Sequence, residues 1–146
     1  MLARPGQLAS QRAPAGRATE LEAGGMGVLA SRDFAGAEIG FAVRPGAQSR
    51  IVLRSGFGSE AGAAAFRAEA AAQFVLWPLA ASGVTPCAGL GLAVRSAEHT
   101  HGAGFLVASV GVEQAPGRTR GWYVDAAVGG GFRLLLGMRW RWFHQP

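Results

Sequence analysis

The sequence predicts an all-β fold, namely a closed, up-and-down antiparallel β-barrel of about eight strands. Three observations lead to this prediction. The chain has 23 glycines among 146 residues, and each glycine inside an α-helix costs about 1 kcal/mol relative to alanine. Turn-forming residues recur at short and even intervals. Between them, segments of about ten residues alternate apolar side chains with small or charged ones, which is the period of a β-strand.

The alternation divides the chain into a short tail and one barrel domain. Residues 1–18 are rich in alanine, glycine, arginine and glutamine and predict a flexible tail without the apolar stretch of a signal peptide. Residues 19–146 predict the barrel, with turn signals such as Pro116-Gly117 between its strands. The predicted strands are 20–29, 35–44, 50–58, 66–77, 87–95, 104–113, 122–129 and 132–142.

One uncharged stretch is long enough to be tested as a membrane-spanning helix. Residues 70–94 contain no charge over 25 positions, and a spanning helix needs about 20 apolar residues. Pro78, Ser82-Gly83 and Pro86 interrupt this stretch. Two apolar strands around a turn therefore fit better than one helix, and we predict no transmembrane helix.

The composition argues against several classes of function. The net charge is +5, but the arginines are scattered and form no basic run, so we predict no nucleic-acid partner. The single cysteine, Cys87, permits no intramolecular disulfide. The sequence contains no P-loop, no CxxC and no His-Glu-x-x-His motif, and the glycines of residues 89–94 do not complete a dinucleotide fingerprint. We predict no cofactor.

All charges inside the predicted strands lie on one face of the alternation, and apolar residues occupy the other. Acidic and basic residues are close to balanced on the charged face, as an internal ion-pair network requires. Arg44 and Arg50 share this face. Asp125 and Arg133 face each other across a glycine-rich hairpin and predict a salt bridge rather than an acid–base pair. The predicted network consists of Glu20, Glu22, Glu38, Arg54, Arg67, Glu69, Arg95, Glu113, Asp125, Arg133, Arg139 and Arg141.

The alternation by itself does not say which face points inward. In a soluble barrel the apolar face is the core, whereas in a membrane barrel it contacts lipid and the charged face fills the lumen. Charged residues make up 16% of the chain, against about 25% in ordinary soluble domains, and this scarcity favours the membrane arrangement. The alternative is a soluble, lipocalin-like barrel whose apolar face lines a ligand cavity.

The aromatic residues also favour a membrane. Indole and phenol rings concentrate at the membrane interface, and the sequence predicts one group of them at a single rim, with Trp77 and Tyr123 in the inward phase. Phenylalanines are predicted at the opposite rim. The predicted interface residues are Trp77, Trp122, Tyr123, Trp140 and Trp142, and the phenylalanines are Phe34, Phe57, Phe66, Phe105 and Phe132.

The last strand resembles the C-terminal signal strand of bacterial outer-membrane β-barrels. Gly137 is followed by the alternating aromatics Trp140 and Trp142 and then by Phe143, which is in the inward phase. Over residues 19–143 the chain is similar to the small eight-stranded class of the OmpA transmembrane domain and OmpX. The resemblance implies a bacterial outer-membrane location, contacts with outer-membrane lipids, recognition by the barrel-assembly machinery, and a monomer. It also implies a structural or envelope-interaction role without catalysis.

The segment around residue 100 offers two further hypotheses. His99 and His101 with Glu98 have the spacing to share a metal ion, but two histidines without further ligands predict a polar loop, and we predict no metal site. Ser96, Glu98 and His99 are residue types used by outer-membrane lipid A deacylases, which have a similar fold. The chain lacks the His-x-Ser spacing of that family, so a lipid-modifying hydrolase remains an alternative function.

Overall fold

The computed structural model describes residues 17–98 and 100–144. This part of the chain forms eight antiparallel strands, each paired with the next, and β8 pairs with β1 to close the barrel. The strands are β1 Ala18–Leu29, β2 Phe34–Arg44, β3 Ser49–Glu60, β4 Ala63–Val75, β5 Val84–Ala97, β6 Ala103–Gln114, β7 Arg120–Val128 and β8 Phe132–Phe143. The predicted fold class is confirmed.

Strand β4 begins at Ala63, whereas the sequence predicted a strand over residues 66–77. The reason is a tight two-residue turn at Ala61 and Gly62. Both turn residues have positive φ, 50° and 85° respectively, which matches the twist of a β-hairpin. The short turn lets β3 and β4 stay paired up to their ends.

Trp77 was predicted to end the fourth strand but lies in the turn after it, because β4 ends at Val75. The backbone N–H of Trp77 donates a hydrogen bond to Oγ1 of Thr85 at 3.0 Å instead of joining the ladder. Pro78 follows and has no N–H to donate. These two residues end the strand.

Glycines face the interior where neighbouring strands leave no room for a side chain. Gly36 is opposite Gly58, and a Cβ on Gly36 would lie 2.2 Å from the carbonyl oxygen of Phe57. Gly24 is opposite Gly137, and a Cβ on Gly24 would lie 2.3 Å from a backbone oxygen of β8. These glycines therefore permit a narrow barrel to close.

The buried apolar residues form three small clusters, and the one with the largest side chains lies toward the end of the barrel that carries the β1–β2 turn. It includes Met26, Val28, Phe34 and Leu135, which pack together. Most large apolar side chains are instead on the outside of the barrel. In the described residues, no helix is long and apolar enough to cross a membrane.

We predict that Gly36→Ala destabilises the barrel by about 1–3 kcal/mol, because the added methyl group must displace backbone atoms of β3. Gly27→Ala is the matched control, since a Cβ there meets nothing within 4 Å. We expect the control to change the free energy of unfolding by no more than about 0.5 kcal/mol. Urea unfolding of the refolded proteins, followed by tryptophan fluorescence, measures both. Equal effects of the two variants would contradict the close approach.

Candidate functional site, a charged interior and an apolar wall

The barrel has two ends, which we name by the elements they carry. The terminal rim carries Arg17 and His144 at the two ends of the described chain, and the opposite rim carries the other set of turns. The turns at the terminal rim are residues 45–48, 76–83 and 115–119. The described turn residues at the opposite rim are 30–33, 61–62, 98, 100–102 and 129–131.

The outer wall of the barrel is apolar. Leu90, Leu106 and Leu136 are 71%, 80% and 60% exposed. Most outward residues of the other strands are leucine, valine, isoleucine, phenylalanine or small side chains. Among the described strand residues, the only outward-facing charge is Arg120, at the terminal rim. The apolar face of the alternation thus points outward.

Four tryptophans lie at the terminal rim. Trp77 and Trp142 are more than half exposed, Trp140 is 37% exposed, and Trp122 lies half-buried in the outward phase of β7. Trp77 was expected in the inward phase of a strand, but in the turn its side chain is exposed. The four indoles therefore form one aromatic group at this end.

Tyr123 differs from the prediction that placed it at the membrane interface. It is 2% exposed and lies inside the barrel, where its hydroxyl donates a hydrogen bond to Oε1 of Glu38 at 3.1 Å. The guanidinium carbon of Arg139 lies 4.5 Å from the centre of its ring. Tyr123 lies inside because it has the inward phase of β7, and its hydroxyl finds a hydrogen-bond acceptor there in the carboxylate of Glu38.

The phenylalanines near the opposite rim divide between the two faces. Phe57 and Phe66 are on the outer wall, with ring centres 5.1 Å apart, and Phe132 is also exposed there. Phe34 is buried inside. Phe105 also faces inward, and the guanidinium carbon of Arg95 lies 5.5 Å from its ring centre.

The interior near the terminal rim is organised around two glutamates. Glu20 accepts contacts from Nε of both Arg44 and Arg50 at 2.6 Å. Glu113 contacts Arg50 at 2.8 Å and Arg141 at 3.0 Å. Arg50 and Glu113 belong to β3 and β6, so this pair crosses the lumen.

Arg139 connects this group to the middle of the barrel. It contacts Glu113 and also pairs with Glu22. Glu22 in turn contacts Nε of Arg54 at 2.8 Å. Arg54 reaches Glu69 on β4 at 3.2 Å. The ion pairs are therefore continuous from the terminal rim to the barrel centre.

Glu69 continues the network toward the opposite rim. It pairs with Arg133, which also contacts Asp125 at 2.8 Å, so the hairpin pair expected from the sequence is formed. Gln73 donates to Asp125 at 3.2 Å from the other side of the lumen. Arg67 lies 3.9 Å from Glu69.

Arg95 and Glu38 complete the set of predicted network residues. Arg95 is partly exposed and does not join the continuous network within the described residues; it contacts Glu60 at 3.3 Å instead. Glu38 lies 3.5 Å from Arg54, in addition to its bond from Tyr123. The structure therefore places all twelve predicted residues inside the barrel and joins eleven of them into one continuous ion-pair network, while Arg95 pairs separately with Glu60.

The buried charges balance. In the described chain, seven carboxylates and seven guanidinium groups are buried, so the lumen interior carries no net charge apart from the partly exposed Arg95. A buried ion is tolerated only when it is paired and hydrogen-bonded. Each buried charge of the described chain lies within 4 Å of an opposite charge, and the crossing side chains fill the lumen.

Sequence reasoning missed two interior groups that take part. Glu60 was assigned to a turn, although it has the same phase as Arg54 on β3. Gln73 is uncharged and gave no electrostatic signal, yet it shares the phase of Glu69 on β4. Extending the predicted strand 50–58 by its own period would have found Glu60, whereas Gln73 already lies in the inward phase of the predicted strand 66–77.

The segment proposed for metal binding or hydrolysis does not form an enclosed site in the described residues. Ser96 is exposed in the outward phase of β5, and Glu98 and His101 are exposed. His99 lies outside the described residues. No group of three metal-ligating side chains comes together in residues 17–98 and 100–144.

Comparisons with known proteins agree on the fold. No protein-family model matches the sequence, and no curated protein matches it. The N-terminal β-barrel domain of Pseudomonas aeruginosa OprF superposes with a TM-score of 0.71 and 15% identity, covering 88% of this chain and 99% of that one. Neisserial surface protein A superposes with a TM-score of 0.65 and 13% identity, covering 89% and 99%. The chain has the fold of the small outer-membrane β-barrels.

The orientation of the two faces overturns the lipocalin-like alternative. That reading required the apolar face to line an internal cavity. Instead, Leu134 and Leu136 are exposed on the outside, while Arg133 and Arg139 on the same strand are buried. The interior is filled by paired charges and is not lined by the apolar face of the strands.

We predict that Arg139→Leu destabilises the protein by about 3 kcal/mol, because Glu22 and Glu113 each lose a buried partner. Arg120→Leu removes an exposed arginine and serves as the control, with a change of no more than about 0.5 kcal/mol. Urea unfolding in detergent measures both. The prediction fails if Arg139→Leu is as harmless as the control.

Proposed function

We propose that this chain is an integral β-barrel of the bacterial outer membrane, with a structural or envelope-interaction role and no catalysis. The observation that carries the proposal is the inverted distribution of polarity. Paired charges fill the inside, and large apolar side chains cover the outside. This distribution is typical of membrane barrels.

The energetics of the outer wall favour a bilayer over water. A soluble protein rarely exposes a continuous apolar patch of more than a few hundred Å², whereas here apolar side chains are exposed on all eight strands of the described chain. The strands have 9 to 14 residues. A tilted strand needs about 9–11 residues to span a bilayer, so their lengths fit.

The rims support the same placement. Tryptophans gather at the terminal rim, where amphipathic rings favour the boundary between headgroups and hydrocarbon. Closure between β1 and β8 gives each strand of the described chain a hydrogen-bonded neighbour on both sides. Unpaired strand edges are costly in hydrocarbon and promote association in water. Closure therefore supports a lipid-embedded monomer.

The final strand supports assembly by the barrel-assembly machinery. Trp140 and Trp142 face outward and are exposed, while Phe143 is in the inward phase. An outward aromatic pattern near the chain end is the feature by which this chain resembles signal strands of outer-membrane barrels. One of the solved structures that it matches is Neisserial surface protein A, and the name of that protein agrees with an envelope role.

The first test is cellular location. We expect the chain, expressed behind a bacterial signal sequence, to fractionate with outer membranes and to migrate differently on gels before and after heating. Both results follow from a closed barrel embedded in lipid. Recovery as a monodisperse monomer without detergent would refute the proposal.

The second test substitutes an outward residue near the middle of β8. Leu136→Arg is expected to destabilise the barrel in lipid vesicles by about 2–4 kcal/mol, the cost of arginine near the bilayer midplane. In water the same change at a 60% exposed leucine would be nearly neutral. Leu136→Ala controls for lost side-chain volume. Reversible unfolding in urea, measured in vesicles, distinguishes the two environments.

A further inference from the structure

A pocket opens at the terminal rim between the β4–β5 turn and the β6–β7 turn. Its volume is about 450 Å³. Polar groups and the edge of the outer wall both contribute to its surface. It is lined by Ala81, Ser82, Gly83, Gln114, Ala115, Arg118, Thr119, Arg120, Gly121 and Met138.

The walls of this pocket are held together by backbone hydrogen bonds. The N–H of Ala115 donates to the carbonyl oxygen of Gly83 at 2.9 Å, and the N–H of Gly117 donates to that of Ala80 at 2.9 Å. Gly117 is required for this contact, because a Cβ there would lie 2.4 Å from the carbonyl oxygen of Leu79. The two turns are therefore held against each other as one ordered wall of the pocket.

The two arginines of the pocket have no acidic partner within the described chain. Arg118 and Arg120 are exposed, and no carboxylate of residues 17–98 or 100–144 lies within 4 Å of either guanidinium. The exposed carboxylates, Asp33 and Glu98, are both at the opposite rim. Interior arginines, by contrast, are paired. The pocket is thus suited to an anion.

The pocket continues into the apolar wall. Met138 lines it and is 39% exposed, and Arg120 is paired in register with Trp140. A ligand that combines an anionic head with an apolar chain would contact both surfaces. Ser82 and Gln114 add a hydroxyl and an amide that can donate hydrogen bonds to phosphate oxygens.

We propose that this pocket binds the headgroup of an anionic glycerophospholipid, with its phosphodiester between Arg118 and Arg120 and an acyl chain along Met138 and Trp140. Guanidinium groups pair well with phosphate oxygens. A zwitterionic lipid is disfavoured, because the described pocket offers no carboxylate to its cationic group. The inference rests on the proposed membrane location.

The test uses the chain's own tryptophans as reporters, since all four lie at this rim. The full chain is reconstituted in vesicles of phosphatidylcholine and phosphatidylglycerol of one fixed composition, with bromine on the acyl chains of either lipid. Bromine quenches nearby indoles. We expect brominated phosphatidylglycerol to quench tryptophan fluorescence more per molecule than brominated phosphatidylcholine does. The reason is that each arginine should enrich the anionic lipid beside the pocket by about fivefold.

Arg118→Gln and Arg120→Gln are each expected to reduce this preference by about fivefold. Arg32→Gln, an exposed arginine at the opposite rim, is the matched control and should retain it. Heat-modifiable migration verifies that each variant is folded. A further arm adds inorganic phosphate at constant ionic strength, and the preference for the lipid should persist.

The outcomes separate this proposal from the proposed function. Equal quenching by the two brominated lipids overturns the lipid site but leaves the membrane location standing. Absence of quenching by either lipid overturns both. If Arg32→Gln lost the preference for phosphatidylglycerol as strongly as the two pocket variants do, the preference would be due to the overall charge of the protein. If inorganic phosphate abolished the preference, the pocket would be a site for free phosphate. Either result overturns the lipid site.

Discussion

The pairing of buried charges is the constraint on which the rest of this barrel depends. A narrow lumen has room for side chains but little water, so each ion inside it needs a partner of opposite charge. Glu20 and Glu113 anchor one end of the network, and Arg139 and Glu69 carry it along the barrel. Some of these pairs, such as Arg139 with Glu113 and Arg133 with Glu69, join strands that are not neighbours and connect different walls of the barrel.

The outer wall follows from this arrangement. Because the strand period is two, placing the charges inside turns every intervening residue outward. Most of those residues are apolar, and the single outward charge of the described strands, Arg120, lies at the rim. The four tryptophans and the pocket lined by Arg118 lie at the same rim. The choice of face thus produces the apolar wall and the outward positions of Trp122, Trp140 and Trp142, whereas Trp77 and Arg118 lie in turns.

The alternating pattern of the sequence predicts the strands well but does not place every side chain. Strand number, strand order and the shared face of the charged residues follow from the period-two pattern. Trp77 and Tyr123 show where the pattern is insufficient. Local backbone chemistry at Pro78 and Thr85 moved Trp77 into a turn, and the interior partner Glu38 accommodated Tyr123. Glu60 and Gln73 were missed because turn bounds and uncharged partners have weak signals.

By itself, the sequence determined the barrel class, its hairpin rhythm and the two faces, since these depend on local periodicity and turn chemistry. Only the tertiary structure decided which carboxylate meets which guanidinium, because partners such as Arg50 and Glu113 are 63 residues apart and meet across the lumen. It also decided which face is outside, because alternation is symmetric between the two choices. In the closed barrel the charged face points inward, where charges meet partners on other strands.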